Sequence, residues 1–434
     1  MPTRRRFLAY SSAGILAATA GCRPAHLKWA SGAEENSPKL APVLADKAGL
    51  AKLKNNVLGY PLNMKALPEE FFAWRRQLRK VGIGDFGYNN VGNPFHDSAI
   101  PFNTHDLERE TILRFAKVYG FSPEDTWGFL SHSGTDSNMH GMYMGRTLLK
   151  ARTGRIPKCY FTRESHYSIQ ILRDLLGLEA VCVETSPDGG MDPEALERKL
   201  AEHRDSPALV VATLGTTFKG AIDPVDRLRE VLQDTAHYLH LDAALFGGYL
   251  AHTSRAHEVK YRDANNPSAK RYDSIAVSCH KFFGFPSPAG LFITAKTVYD
   301  EFNVLYSRIH DPEYIGHVPG TITCSRDAVK PAEFYFFSSP EALSRQAEDA
   351  KAILRNTDYL LEEMRANFPQ LMPVRANPVS NTLYFRKPGD RVVRKYYLAT
   401  MHLETGGRKQ DYAHVVVMPH ADRALLSEFL ADLD

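Results

Sequence analysis

Cysteine is scarce in this chain, and its spacing argues against two kinds of site. Five of the 434 residues are cysteines, at positions 22, 159, 182, 279 and 324. None of them forms a C-x-x-C pair, the spacing typical of zinc sites and redox-active disulfides. We therefore expect no bound metal, and we expect the four cysteines downstream of Cys22 to be buried, inert thiols.

The sequence also has little excess charge and only a short apolar stretch near its start. The formal net charge is +3, and Arg4, Arg5 and Arg6 alone account for that excess. A nucleic-acid partner would need a concentrated basic face, so no such partner is expected. The mild apolar stretch that ends at Ala20 is too short to span a bilayer.

The N-terminus has the features of an export signal. Thr3-Arg-Arg-Arg-Phe-Leu8 resembles a twin-arginine signal, which directs a protein out of the cytoplasm. Ala20-Gly21-Cys22 resembles a lipoprotein cleavage site, so Cys22 is a candidate for lipidation and for a membrane tether. We assign residues 1–45 to an export signal and tether; the alternative is a disordered basic tail on a cytoplasmic protein.

Two apolar segments end in side chains that suit a carbonyl cofactor. Residues 275–277 precede Ser278-Cys-His280-Lys281, and residues 238–241 precede Asp242. A lysine at the end of a buried strand is costly unless its amine serves as a nucleophile or forms a Schiff base. A carboxylate can keep a pyridine nitrogen protonated, so the pair suggests pyridoxal 5'-phosphate, PLP. A surface lysine and a helix-capping aspartate are the alternatives.

A turn of small residues provides a candidate phosphate site. Residues 127–130 read as a strand, 131–138 as a turn and 139–149 as a helix. Backbone N–H groups at the start of a helix favour an anion, so Gly134 and Thr135 are the predicted contacts. An ordinary capped helix is the alternative.

Strand and helix patterns alternate from residue 127 to 277, which implies βαβ units and a largely parallel sheet. The loops after parallel strands lie at one edge of such a sheet. His166 and Thr217 also follow predicted strands, so we expect both to meet Asp242, Lys281 and the phosphate turn there. The alternatives are a helix cap or a solvated residue for His166 and a structural residue of a tight turn for Thr217.

The order of these motifs resembles the group II PLP-dependent amino-acid decarboxylases. His240-x-Asp242-Ala-Ala and Ser278-x-His280-Lys281 are similar above all to the branch of bacterial histidine decarboxylases and plant serine decarboxylases. The resemblance runs from about residue 89 to 326 and resumes at residues 411–419.

This resemblance implies roles for individual residues. Lys281 would hold PLP, Asp242 would keep its ring nitrogen protonated, and His166 would stack on the ring. Tyr314 is either an active-site acid or a packing residue. The proton that returns to the substrate's α-carbon could come from Tyr314, His166 or Lys281. The implied catalytic and cofactor-binding residues are Lys281, His166, Asp242, Tyr314, Gly134, Thr135, Thr217, Ala244, Ser278 and His280.

The resemblance also implies an architecture. We expect the α/β fold of PLP-dependent transferases, fold type I, with a mainly parallel sheet in a large domain over residues 101–330. A helical segment over 46–100 would precede it, and a smaller C-terminal α/β domain over 331–434 would follow. Residues 401–410, with Gly406-Gly407, look like a longer and more flexible loop than that of the family. The active sites of the family lie at a subunit interface, so a homodimer is expected.

The implied activity is α-decarboxylation of an L-amino acid to an amine and CO2. The branch favours histidine as the substrate, with serine second. Asn90, Asn93, His96 and His105 could hydrogen-bond an imidazole or a small hydroxyl, although a plain surface loop is the alternative. Rival functions are another PLP reaction, such as aldehyde formation or a lyase step, and a surface-anchored binding protein with a decayed site.

Overall fold

A seven-stranded sheet of short apolar strands forms the core of the computed structural model, which describes residues 47, 49–310, 312–405 and 408–433. The predicted export signal and Cys22 lie outside the described residues. Several strands are buried along their whole length, which is typical of a sheet covered by helices on both faces. The strands are β1 (Trp127–Ser131), β2 (Lys158–Thr162), β3 (Ala180–Val183), β4 (Ala208–Thr213), β5 (His237–Asp242), β6 (Ser274–Ser278) and β7 (Gly290–Thr294).

The direction of the strands places the site. They lie in the order β1-β7-β6-β5-β4-β2-β3. Neighbours from β6 to β3 pair in parallel, whereas β7 runs antiparallel to both β6 and β1. The carboxyl ends of all strands except β7 therefore meet at one edge. The predicted α/β fold with a mainly parallel sheet is confirmed.

Helices make most of the connections between strands, as right-handed βαβ crossovers require. Among the described residues, no helix combines the length and the apolar character needed to cross a membrane. The helices are α1 (Glu69–Lys80), α2 (His105–Val118), α3 (Gly134–Thr153), α4 (Tyr167–Leu175), α5 (Pro193–Glu202), α6 (Val225–Leu232), α7 (Gly247–Leu250), α8 (Lys296–Ser307), α9 (Val329–Phe334), α10 (Pro340–Asn367), α11 (Asp390–Lys395) and α12 (Arg423–Ala431).

A smaller antiparallel sheet lies in the C-terminal part of the chain. It contains β8 (Thr382–Arg386), β9 (Ala399–Thr405) and β10 (Arg408–Val416), in the order β8-β10-β9. The prediction of a loop over residues 401–410 is wrong, because most of these residues belong to the paired strands β9 and β10. The backbone ladder between the two strands satisfies polar groups that a loop would leave to solvent.

Helix α3 begins at Gly134, five residues earlier than the predicted start at residue 139. Its N-terminal cap is Ser133, whose side chain accepts a hydrogen bond of 3.2 Å from the backbone N–H of Asp136. A β-carbon on Gly134 would lie 2.4 Å from Ser278 Oγ, so any other residue here would displace the Ser278 side chain. The early start brings the first turn of α3 to the edge where the strands end.

Two of the cysteines differ from the prediction of buried thiols. Cys159 and Cys279 are buried, but Cys182 and Cys324 are exposed. Cys182 lies on β3, an edge strand whose residues alternate between buried and exposed positions. A side chain on the outer face of such a strand stays in contact with water.

Candidate active site

A cavity of about 190 Å³ lies at the carboxyl edge of the seven-stranded sheet. The structure brings all nine residues predicted for the cofactor into its wall: Lys281, Asp242, His166, Gly134, Thr135, Thr217, Ala244, Ser278 and His280. Sequence reasoning missed eight further residues of the wall: Pro61, Ser133, Asn138, Ser168, Thr213, Gly215, Leu245 and Pro288. Most of the missed residues flank a predicted motif, whereas Pro61 comes from a distant segment that has no local signal.

Asp242 is the last residue of β5, and Lys281 comes three residues after the adjacent parallel strand β6; both line this cavity. Asp242 is buried, and its Oδ1 accepts a hydrogen bond of 3.2 Å from the backbone N–H of Ala244. Among the described residues, none forms a hydrogen bond or an ion pair with the Lys281 amine. Burial lowers the pKa of Lys281, although the negative charge of Asp242 opposes that shift. The amine is thus poised to act as a nucleophile.

His166 is both a wall residue and the N-terminal cap of α4. Its Nδ1 accepts a hydrogen bond of 3.2 Å from the backbone N–H of Ser168, and the Ser168 hydroxyl lies 2.8 Å from the same nitrogen. Because Nδ1 is an acceptor, the neutral ring carries its hydrogen on Nε2. Burial and the positive charge of Lys281 lower the pKa of His166, against the opposing effect of Asp242. These contacts favour an uncharged ring.

The first turn of α3 forms the part of the cavity wall that suits an anion. Gly134 is buried, and Thr135 is exposed beside it. The partial positive charge at the start of a helix of 20 residues favours an anion at this position. Ser278 lies against Gly134 and contributes a hydroxyl to the same wall. Burial lowers the pKa of His280, as does the positive charge of Lys281.

Five residues predicted for the reaction or the substrate do not line this cavity within one chain. Tyr314 is 81% exposed, on the short 3-10 helix Glu313–Ile315. Asn93 donates to the Tyr299 hydroxyl at 2.9 Å and accepts from the Trp127 indole at 2.9 Å. Its amide therefore serves to anchor the loop.

Asn90 and His105, like Asn93, are buried outside the wall of the cavity. Asn90 donates to Glu108 at 2.8 Å and accepts from the backbone N–H of Thr104 at 2.8 Å. His105 is buried, and neither ring nitrogen has a hydrogen-bond partner within the described chain. Burial lowers its pKa to about 4, despite the neighbouring Glu108. His96, also predicted for the substrate, stacks on His317 with the ring centroids 5.5 Å apart.

A buried ion pair connects Asn90 and α2 to the sheet. Glu108 pairs with Arg326, and each side chain is at most 1% exposed. Glu108 also accepts a hydrogen bond of 2.8 Å from the backbone N–H of Leu130 on β1. The pair therefore connects α2, the segment before α9 and the sheet.

We expect Glu108→Ala to lower the free energy of unfolding by about 3–5 kcal/mol, because it leaves the buried Arg326 charge without its partner. Glu110→Ala is the matched control. Glu110 lies two residues along the same helix and pairs with Arg114 at the surface, where an ion pair contributes about 0–1 kcal/mol. Urea denaturation followed by circular dichroism measures both variants. Equal unfolding curves for the two variants would contradict this assignment.

The residues of the cavity fit PLP. The unpaired amine of Lys281, the buried carboxylate of Asp242 and the N-terminus of α3 all line the same cavity. They match the aldehyde, the ring nitrogen and the phosphate of PLP. One carboxylate oxygen of Asp242 is held by Ala244, and the other has no hydrogen-bond partner in the described part of the chain. The fold and this cavity define a PLP-dependent enzyme of fold type I.

Comparisons with known proteins support this class. The family model of the pyridoxal-dependent decarboxylase conserved domain matches residues 122–372. Serine decarboxylase 1 of Oryza sativa subsp. japonica is 30% identical over 406 residues, which cover 92% of this chain and 76% of that protein. Histidine decarboxylase of Solanum lycopersicum is 28% identical over 392 residues, which cover 88% of this chain and 86% of that protein.

A solved structure shows the same fold. L-methionine decarboxylase from Streptomyces sp.590, in complex with 3-methylthiopropylamine, aligns with a TM-score of 0.78 at 22% identity and covers 94% of this chain and 97% of that one. The chain belongs to the pyridoxal-dependent decarboxylase family, in the branch that resembles histidine and serine decarboxylases. It is a PLP-dependent carboxy-lyase that acts on an amino acid.

Proposed function

We propose that this enzyme removes the α-carboxyl group of L-histidine and releases histamine and CO2, with L-serine as the second candidate substrate. The main support for the proposed chemistry is that Lys281, Asp242 and His166 line the same cavity. Relatives named as histidine decarboxylases and as serine decarboxylases support the two candidate substrates. The polar groups that would contact the substrate are those of the cavity wall that the cofactor leaves free, because Asn90 and Asn93 are engaged elsewhere.

Each residue of the wall has a separate task in this proposal. When bound, PLP supplies an aldehyde that captures the substrate amine and a ring that accepts the electron pair left as CO2 departs. Lys281 would provide the amine that holds the cofactor in place, and Gly134 and Thr135 would bind its phosphate. Asp242 would hold a proton on the ring nitrogen. His166 would lie beside the ring, with its Nε2 hydrogen available as a donor.

We assign the return of the proton to the α-carbon to Lys281. Protonating His166 on Nδ1 would break its hydrogen bond with the backbone N–H of Ser168, at the positive end of a helix. Tyr314 lies outside the cavity of its own chain. Lys281 has a titratable amine inside the cavity, with a pKa that burial lowers.

We also propose that the enzyme is a homodimer. A surface groove of about 690 Å³ is lined mainly by apolar side chains, including Leu175, Ile309 and Tyr314. These three side chains are 67%, 64% and 81% exposed, and an apolar patch of this kind is typical of a protein interface. A second copy of the chain would cover it. Sedimentation equilibrium should give twice the mass of one chain, and a monomer at all concentrations would contradict the proposal.

A competition among all proteinogenic L-amino acids tests the substrate. We expect the PLP-loaded enzyme to form histamine, with a preference over phenylalanine of about 10²-fold or more, because polar groups of the wall would be left unpaired by an apolar side chain. Mass spectrometry identifies the amines, and equal amounts of CO2 and amine distinguish decarboxylation from aldehyde formation. Ethanolamine as the main product would assign serine instead. Phenylethylamine or an aliphatic amine would contradict the polar-pocket argument.

A further inference from the structure

A chain of buried hydrogen bonds runs beneath the cavity and ends at its wall. The Tyr238 hydroxyl donates to Ser274 Oγ at 2.9 Å, and Ser274 Oγ lies 2.7 Å from His240 Nδ1. His240 Nε2 lies 3.0 Å from Asn138 Oδ1. All four side chains are at most 2% exposed, and of the four only Asn138 lines the cavity.

The donors along this chain determine how the Asn138 amide is oriented. Tyr238 uses its single hydrogen on Ser274, so the Ser274 hydroxyl hydrogen is available for His240 Nδ1. Burial lowers the pKa of His240 to about 4, and a neutral ring that accepts at Nδ1 carries its hydrogen on Nε2. Nε2 therefore donates to Asn138 Oδ1, and the amide nitrogen is turned away from His240.

The amide nitrogen of Asn138 faces the cavity without a partner. Nδ2 donates no hydrogen bond to any of the described residues, and it is not among their fully buried, unsatisfied side-chain atoms. Asn138 lies four residues after Gly134 and three after Thr135 on α3, so the three share one helix face, and the side chain leans toward the phosphate turn.

Close packing keeps this arrangement in place. A β-carbon on Gly141 would lie 2.5 Å from the His240 ring, so the glycine allows the ring to approach α3. Tyr238, His240 and Asp242 alternate along β5 and therefore point to the same face of the sheet. Strand β5 therefore provides both Asp242, which lines the cavity, and His240, which holds Asn138 through a hydrogen bond.

We propose that Asn138 is a further cofactor-positioning residue, whose amide N–H₂ group donates a hydrogen bond to an oxygen acceptor of bound PLP and is aimed by His240, Ser274 and Tyr238. The proposal deepens the assignment of the cavity to PLP and does not depend on which amino acid is the substrate. Asn138 would thus bind the cofactor although it lies outside the two sequence motifs that contain Lys281 and Asp242.

The affinity of the cofactor-free protein for PLP, measured by fluorescence titration, tests this role. Asn138→Ala should raise the dissociation constant about tenfold, which corresponds to the loss of one hydrogen bond. Asn138→Asp has the same shape but turns a donor into an anionic acceptor, so its effect should be larger. Ser274→Ala, which does not touch the cavity, should weaken binding less than Asn138→Ala, because it only frees the amide to rotate.

Ser137→Ala is the matched control. Ser137 is the preceding residue of α3, is equally buried, and hydrogen-bonds Ser131 at 2.6 Å outside the cavity wall. Its affinity for PLP should equal that of the parent protein, and thermal unfolding confirms that each variant is folded. If Asn138→Ala does not fold, Asn138→Asp and Ser274→Ala carry the test. Affinities within twofold of the parent for every folded variant at positions 138 and 274 would overturn the proposal, and failure of the parent itself to bind PLP would instead overturn the cofactor assignment.

Discussion

Lys281→Ala should reduce decarboxylation by about 10³-fold or more. The change removes the covalent hold on the cofactor, and it also removes an amine that can move a proton, a function that alone contributes about 10²–10⁴-fold. No other lysine lines the cavity in the described part of the chain, so no neighbour can replace it. Release of amine and CO2 measures the activity. Mass spectrometry after borohydride reduction in the presence of PLP measures the covalent attachment, which should be absent.

A second variant and a control show whether the nucleophilic amine of Lys281 or only its positive charge is needed. Lys281→Arg keeps a positive charge but not a nucleophilic amine, and we expect it to be as inactive as the alanine variant. Lys296→Ala is the control, because Lys296 is exposed and pairs with Asp300 on α8. That variant should keep full activity and covalent attachment. Substantial decarboxylation by either Lys281 variant would show that this lysine is not the cofactor-binding residue.

Asp242→Asn should lower turnover by about 10²–10³-fold while PLP stays bound. The substitution preserves the size of the side chain and an oxygen for the Ala244 N–H, but it removes the negative charge that holds a proton on the ring nitrogen. Asp300→Asn, at the exposed surface pair with Lys296, is the control and should leave turnover unchanged. Steady-state kinetics together with a PLP titration distinguishes lost turnover from lost cofactor.

The same variant should change the titration of Lys281. The negative charge of Asp242 raises the pKa of the Lys281 amine, so its removal lets the amine lose its proton at a lower pH. In cofactor-free protein, the midpoint of the pH dependence of covalent attachment to PLP should therefore shift to lower pH. A midpoint that stays in place or moves upward would contradict the closeness of the two groups.

The sequence predicted the large sheet and most of its site because both depend on local patterns. Apolar runs with a polar end identified β5 and β6 and, with them, Asp242 and Lys281. Parallel strands place such ends at one edge whatever the details of packing, so residues more than 100 positions apart in the chain could be predicted to meet, as they do.

The tertiary structure alone decided which polar residues are available to a ligand. Asn90 and Asn93 carry the right groups, but partners from α2, β1 and α8 use their hydrogen bonds. Asn138, by contrast, faces the cavity because a buried histidine two residues before Asp242 occupies its oxygen.

The pairing of strands in the second sheet also could not be predicted from the sequence. Residues 401–410 have the composition of a loop, yet most of them pair as β9 and β10. The sequence by itself determined the fold class, the edge at which the site forms and the residues that bind the cofactor's reactive groups in our proposal. Strand pairing over a distance and the competition among neighbours for each hydrogen bond depend on contacts between remote segments, so only the tertiary structure could decide them.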